Sequence, residues 1–297
     1  MPIRQTPSRF AALAPPALRA RTTLRIREML GRAPGVAGEE EWSPPDRSGP
    51  GARLVVASYN IHKCVGTDGR FDPARTAHVI GEMKADVVAL QEADKRFRVR
   101  TGLLDDAMLR DEAGLRFLPF SKVTDGHGWH GNAILVRNGV ETHLERLELP
   151  FAEPRGAVLA ELQLASGPLR IIAAHLGLLR HSRCRQAEAI LDAIGRLPTM
   201  PTLLVGDFNE WGPGRPGSMM AALEPVFGSA PPSPPSFPSG RPIFSLDRIL
   251  GAPTAIVEAL AVHDTPLARV ASDHLPIKAL VNLEASRIRH VSEESVV

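Results

Sequence analysis

The chain is short of most of what marks specialised protein classes. Two cysteines, Cys64 and Cys184, stand among 297 residues. They lack zinc-ligand spacing and are too few for a disulfide framework, so free thiols in a reducing compartment are expected, with a single bridge as the alternative. No apolar run is long enough to span a bilayer, and the N-terminus has no secretory apolar core, which points to the cytoplasm. Tyr59 is the single tyrosine, and the only lysines are Lys63, Lys84, Lys95, Lys122 and Lys278. The other basic residues are arginines, which suit phosphate, although a GC-rich gene gives the same bias. A net charge of +2 excludes the global positive field of a nucleic-acid coat protein. A glycine-rich phosphate loop and a serine or cysteine in a nucleophile elbow are both missing. The chemistry therefore has to come from acids, amides and imidazoles.

Composition divides the chain in three. Residues 1–52 are dense in Pro, Gly and Arg and carry Glu39-Glu40-Glu41 and Pro44-Pro45. Such a stretch buries little and is expected to be a flexible arm. Within it, Ala17 to Leu30 carries Arg19, Arg21, Arg25 and Arg27. It reads as a basic helix able to touch lipid or nucleic acid, or simply as a solvated one. The folded domain is expected over 53–283, and 284–297 reads as a frayed tail.

Inside the domain, strands and helices alternate. Leu54 to Tyr59 reads as a strand ending at Asn60. Asp72-Pro73 supplies a cap and an N1 proline for a helix whose buried face is Ala77, Ile80 and Met83. Asp86 to Leu90 is a buried strand ending at Gln91-Glu92, and Lys95 to Arg110 a charged loop with a short helix. Strands are expected over Arg116 to Val123, Asn132 to Val136 and Glu141 to Leu149. A hairpin follows, Ala157 to Leu164 and Leu169 to Ala174, turned at Ser166-Gly167-Pro168 and delivering His175. Ser182 reads as the cap of a helix to Leu197, with Ala187, Ile190, Leu191, Ile194 and Leu197 at helical spacing. The Pro-, Gly- and Ser-rich loop Trp211 to Pro242 has room for one short helix near Ser218 to Glu224. Phe244 to Leu250, Ile256 to Val262 and Pro276 to Val281 complete the strands. Hairpins among the crossovers predict mixed sheets rather than one parallel wound sheet.

The sharpest stretch is Thr202-Leu203-Leu204-Val205-Gly206-Asp207-Phe208-Asn209-Glu210. A buried strand runs into Gly206, and strand alternation puts Asp207 and Asn209 on one side at its carboxyl end. Ligand sites favour that position in layered α/β folds. Taken alone, a Gly-Asp pair is more often a turn. But Asn60, Glu92, His175, Asp247, Asp273 and His274 stand at other strand ends. Carboxylates and amides gathered in this way suit magnesium or manganese rather than zinc.

In chain order, Ser58-Tyr59-Asn60-Ile61-His62, Leu90-Gln91-Glu92, Ala174-His175-Leu176, Gly206-Asp207-Phe208-Asn209, Leu246-Asp247-Arg248-Ile249 and Ser272-Asp273-His274-Leu275-Pro276 resemble the motifs of the endonuclease/exonuclease/phosphatase superfamily, the DNase-I-like fold. Arg183 and Gln186 fit its usual helix. The resemblance spans about Arg53 to Leu283. It implies a four-layer α/β sandwich, two packed mixed sheets flanked by helices, and a small bacterial hydrolase of phosphate esters using Mg2+ or Mn2+. It implies Glu92 as main metal ligand with Asn60 and Asp273 beside it. Asp207 would orient or deprotonate the attacking water, and Asn209 would hold a phosphate oxygen. His274, buttressed by Asp247, would stabilise charge on the phosphate. His175 would contact the phosphate or protonate the leaving oxygen. The expected substrate of this monomeric enzyme is nucleic acid, with lipid or inositol phosphates, or a catalytically inactive phosphate-binding module, as alternatives. The other histidines read as structural, with His127 and His130 marginal because they lie just before Gly131-Asn132 near the expected site mouth, and Trp129 reads as a candidate face for a base. Tyr59 does not fit the position where some abasic-site endonucleases place a tyrosine.

Overall fold

The computed structural model describes residues 53–95, 100–151, 153–212, 216–229 and 231–286. The expected arm, its basic stretch, Arg96, Arg98, Arg215 and most of the C-terminal tail lie outside them. Among the described residues, eleven strands form two sheets. They are β1 (Leu54–Asn60), β2 (Val87–Gln91), β3 (Arg116–Phe117), β4 (Ala133–Val136), β5 (Val140–Glu148), β6 (Gly156–Leu164), β7 (Gly167–His175), β8 (Thr202–Asp207), β9 (Asp247–Ala252), β10 (Val257–Val262) and β11 (Ile277–Val281). One sheet has the order β10-β11-β1-β2-β4-β3 and the other β5-β6-β7-β8-β9. The pairs β1/β2 and β7/β8 are parallel and the rest antiparallel, so both sheets are mixed. Each parallel pair needs a crossover. These are α1 (Pro73–Glu82) and α3 (Arg180–Gly195), with α2 (Asp106–Ala113), α4 (Met219–Phe227) and α5 (Pro266–Ala271) added.

Strand alternation explains the layers. In β1, Leu54 and Val56 face the second sheet, while Val55, Ala57 and Tyr59 face helices. Val87 and Ala89, Ile171 and Ala173, and Leu203 and Val205 meet in the apolar slab between the sheets. A second core joins the outer face of the first sheet to Ala77 and Ile80 of α1, Leu109 of α2 and Ala268 of α5. A third joins the other sheet to Ile190 of α3 and Leu223 of α4. The result is the expected α/β/β/α sandwich. Full burial of each such aliphatic side chain contributes about 1.5–3 kcal/mol.

Local signals mostly act as read. The Asp72 carboxylate caps α1 by accepting from the Arg75 amide at 2.9 Å, with Pro73 at N1. Four expectations change. The strand at Arg116 stops after Phe117, because Pro119 has no amide to continue the ladder. Ser182 lies inside α3, which starts at Arg180 without a side-chain cap. The second strand of the hairpin starts two residues earlier than expected, since Gly167 and Pro168 already pair with Leu164 and Gln163. The strand expected from Phe244 begins at Asp247; Phe244 instead bridges Phe237 in a small hairpin of its own. The long loop also holds α4, whose Met219, Leu223 and Phe227 are core residues, so it is not a passive connector. Cys64 and Cys184 are both free thiols. No helix of the described residues is long and apolar enough to cross a membrane.

Candidate active site

The site sits where the slab between the sheets changes from apolar to polar. Following the alternation of Val56, Ile171, Val205 and Ile249 to the strand ends puts Asn60, His175, Asp207 and Asp247 at the edge of that slab. The register makes three of these a row: His175 pairs with Asp207 across β7/β8, and Asp207 with Asp247 across β8/β9. Gly206 permits this closeness. Its φ is +147°, and a Cβ there would lie 1.8 Å from the Ala174 carbonyl oxygen.

Asp207 is the hub. Its Oδ2 accepts from Asn60 Nδ2 at 3.0 Å and lies 3.5 Å from His175 Nε2 and 3.7 Å from His274 Nε2. Its Oδ1 accepts from the Asn209 amide at 3.0 Å. The Asn209 side chain donates to the Leu176 carbonyl at 3.0 Å, which leaves its second N–H for another acceptor. His274 Nδ1 lies 2.9 Å from Asp247 Oδ2, and Ser236 Oγ donates to that same oxygen. Asn60, His175, Asp207, Asn209, Asp247 and His274 are all buried.

Burial acts on these groups unequally. It pushes His175 down to about 4, with the Arg155 charge adding and Asp207 only partly opposing, so the imidazole is neutral at neutral pH. Burial also opposes charge on His274, but Asp247, through its charge and hydrogen bond, together with Asp207 and Asp273, overrides it and lifts the group to about 9. Burial raises the Asp207 carboxyl above its ordinary range, with Asp247 adding and the two histidines opposing.

Glu92 and Asp273 stand at the rim. Glu92 follows β2 in a left-handed conformation, φ +56°, and its Oε2 accepts from Lys63 Nζ. Burial would raise its pKa, but Lys63, His175 and His62 together hold it below the usual value. Asp273 Oδ1 lies 3.8 Å from His62 Nδ1. Asn60 Oδ1 accepts from the His62 amide at 3.1 Å. The expected metal set, Asn60, Glu92 and Asp273, is thus tied to one turn: Asn60 and Asp273 both meet His62, and Glu92 meets its neighbour Lys63. A second candidate exists: Asp207, Asp247 and His274 offer ligand atoms within 4.8 Å of one another. There a charged His274 already bridges the two acids.

Several contributors were not singled out from sequence. Lys63 is one. Ser236 and Ser272 are others; Ser272 Oγ donates to the Asn60 carbonyl at 2.7 Å. Arg183 and Gln186 brace the turn after His175. Arg183 donates to the Leu178 carbonyl at 2.6 Å and pairs with Glu210 at 3.4 Å, and Gln186 Oε1 accepts from the Gly177 amide at 2.8 Å. A serine is too common for its spacing to be a signal. The long loop contributes Trp211 and Phe237. Trp211 packs edge-on against Phe237 and Phe244, with Phe237 tilted 4.7 Å from the His274 ring, and Trp211 is 48% exposed. Trp129 differs from expectation, since Lys122 and Arg146 lie over its ring and it packs on the inter-sheet core. Tyr59 is fully buried toward the helices, away from the site. Near the site, Arg100 pairs with Asp94 and Arg185 with Glu188.

With this geometry in hand, residues 57–274 match the Endonuclease/Exonuclease/phosphatase family. The chain belongs to that family. No curated protein sequence matches it significantly. Solved structures of similar fold include an endonuclease/exonuclease/phosphatase from Beutenbergia cavernae, with TM-score 0.59 and 23% identity, covering 78% of this chain and 72% of that one. Another is the endonuclease/exonuclease/phosphatase from Bacteroides vulgatus, with TM-score 0.58 and 17% identity over 78% and 99%. TDP2 from D. rerio, complexed with a single-strand DNA product, gives TM-score 0.55 and 18% identity over 77% and 99%. At such identities these likenesses concern the fold. Family membership and the Asp/Asp/His cluster together support a phosphoesterase.

Proposed function

We propose that the chain is a divalent-metal-dependent phosphodiesterase acting on nucleic acid. The observation that carries the reading is the meeting of Asn60, His175 and His274 on one carboxylate oxygen of Asp207, with Glu92 at the rim. Asp207, raised above the ordinary carboxylate range, suits a group that orients a water and takes its proton. His274, charged through Asp247, faces the charge that builds on phosphate. The neutral state of His175 favours a hydrogen bond to phosphate over proton donation to the leaving oxygen. Asn209 supplies its second N–H to a phosphate oxygen.

The donor set at Glu92, Asp273 and the Asn60 amide oxygen is all oxygen, which fits Mg2+ or Mn2+. The Lys63 ammonium on Glu92 marks that carboxylate as cation-seeking. The Asp207–Asp247–His274 cluster fits a metal less well, because a protonated imidazole has no lone pair to give. A bound metal would neutralise phosphate charge and activate water.

Nucleic acid is supported by Trp211, half exposed and packed on Phe237, which itself meets the His274 ring, since exposed indoles stack on bases. The D. rerio TDP2 structure shares the fold and holds single-strand DNA. A second reading has its own observation: Leu178 and Leu179 are exposed close after His175, and the exposed Phe151 packs on His181 just beyond them, which suits an amphiphilic substrate such as a lipid. The test is purified protein with Mg2+ or Mn2+ on plasmid, single-stranded DNA, RNA, phospholipid vesicles and inositol phosphates. Cleavage of nucleic acid is expected. Head-group release from vesicles with nucleic acid intact would establish the second reading. Full activity in excess chelator would overturn metal dependence.

A further inference from the structure

The turn after Asn60 has an unusual backbone. His62, Lys63 and Cys64 have φ of +44°, +57° and +58°, three consecutive non-glycine residues in the left-handed region. Such conformations persist only where the surroundings enforce them. Here both ends are pinned. The Cys64 amide donates to the Ile61 carbonyl at 2.8 Å, the Cys64 carbonyl accepts from the Asp72 amide at 2.8 Å, and the Cys64 side chain is buried in the helix-side core. The strained turn carries Lys63 into a small cleft shared with Glu92, Arg155 and His175, where its ammonium pairs with Glu92.

A divalent ion and an ammonium cannot both occupy the Glu92 carboxylate, because like charges at that separation repel strongly. The Lys63 backbone is fixed, so a displaced ammonium moves on its own flexible stem. The groups around it in the cleft are cationic or neutral apart from the acids already paired. The acceptor left for it is a substrate phosphate, which on the proposed function would lie against His175, a wall of the same cleft.

From this strain, the ion pair and the shared cleft, we propose that Lys63 is a phosphate-binding residue that the metal-free protein stores on Glu92 and that metal binding releases to the substrate. Metal and phosphate then bind with positive coupling, each clearing the way for the other. This rests on the reading that Glu92 holds the metal, and the experiment separates the two claims. Manganese binding without substrate is measured by calorimetry on the parent, Lys63→Met and Glu92→Gln. Inorganic phosphate is then titrated into manganese-saturated protein.

Lys63→Met should bind manganese about tenfold more tightly, because a competing cation is gone, and should bind phosphate more weakly. Lys63→Arg should restore most of the phosphate binding. Unchanged manganese affinity in Lys63→Met, with binding lost in Glu92→Gln, would overturn the Lys63 proposal alone. Parent-like binding in Glu92→Gln would overturn the metal reading and the proposal with it. Thermal melts of each variant show whether the fold is kept. Should Lys63→Met unfold, Lys63→Gln serves as the same test.

Discussion

His175 and His274 approach the same oxygen, Oδ2 of Asp207, at 3.5 and 3.7 Å, yet their protonation is driven in opposite directions. Only His274 has Asp247 against its other nitrogen. In the metal-free protein, NMR titration of the imidazoles should show one histidine near 4 and one near 9. The signs for stability follow. His274 stabilises the fold fully below its unfolded value of 6.5, and this is lost as pH rises through about 9. His175 contributes fully above 6.5, and this is lost as pH falls toward about 4. Asp247→Asn should bring the high titration down toward 6.5; a high titration unmoved by that change would mean Asp247 is not its cause.

Asp207→Asn and His274→Ala should each lower turnover by about a hundredfold or more while the fold is kept. Asp207→Asn is close in shape but loses the charge facing two imidazoles. The check is steady-state kinetics on a verified substrate beside a circular dichroism melt. Near-normal turnover in a folded variant would remove the role given to that residue.

Gly206→Ala should destabilise the protein by about 3 kcal/mol or more, because the new Cβ would meet main chain and not a yielding side chain. Denaturant unfolding measures this. A loss below about 1 kcal/mol would show that β7 and β8 can separate there at little cost.

Trp211→Ala should raise KM for a base-bearing substrate about tenfold, since stacking contributes roughly 1–3 kcal/mol per base. Hydrolysis of a small activated phosphodiester should be unchanged. Equal effects on both substrates would mean that Trp211 supports His274 through Phe237 and does not select the substrate.

A chain beginning at Gly51 should fold and turn over a soluble substrate like the parent, because residues 1–52 match no family motif and their composition builds no core. The comparison is of melting temperature and kcat/KM. A large drop in melting temperature would show that the arm packs on the domain.

The residues at strand ends were legible because each stands beside a buried run: Asn60, Glu92, His175 and Asp207 close one, while Asp247 opens β9 and Asp273 and His274 precede β11. The sandwich was legible because hairpins and crossovers alternate. Helix α5 was missed although Thr265 caps it and Pro266 stands at N1; at six residues it has no periodicity to read. The late start of β9 depends on where its partner β8 stops, at Asp207, which is tertiary; the early end of the strand at Phe117 was legible in Pro119. Lys63 was invisible for a different reason. Nothing in the string His62-Lys63-Cys64 announces a left-handed turn, since the fold imposes that conformation against local preference.

The row His175, Asp207, Asp247 is held by main-chain ladder bonds between three strands, whereas Trp211 and the apolar residues Phe151, Leu178 and Leu179 ride on connections between elements. Reaction and recognition therefore have separate mechanical supports. A one-residue slip of β8 would turn Asp207 away from both neighbours at once, so the chemistry is as unforgiving as the sheet. Insertions or exchanges in the connections leave that ladder untouched. A lineage built on this frame can change what it cleaves through many small steps without passing through a form that has lost the ability to cleave.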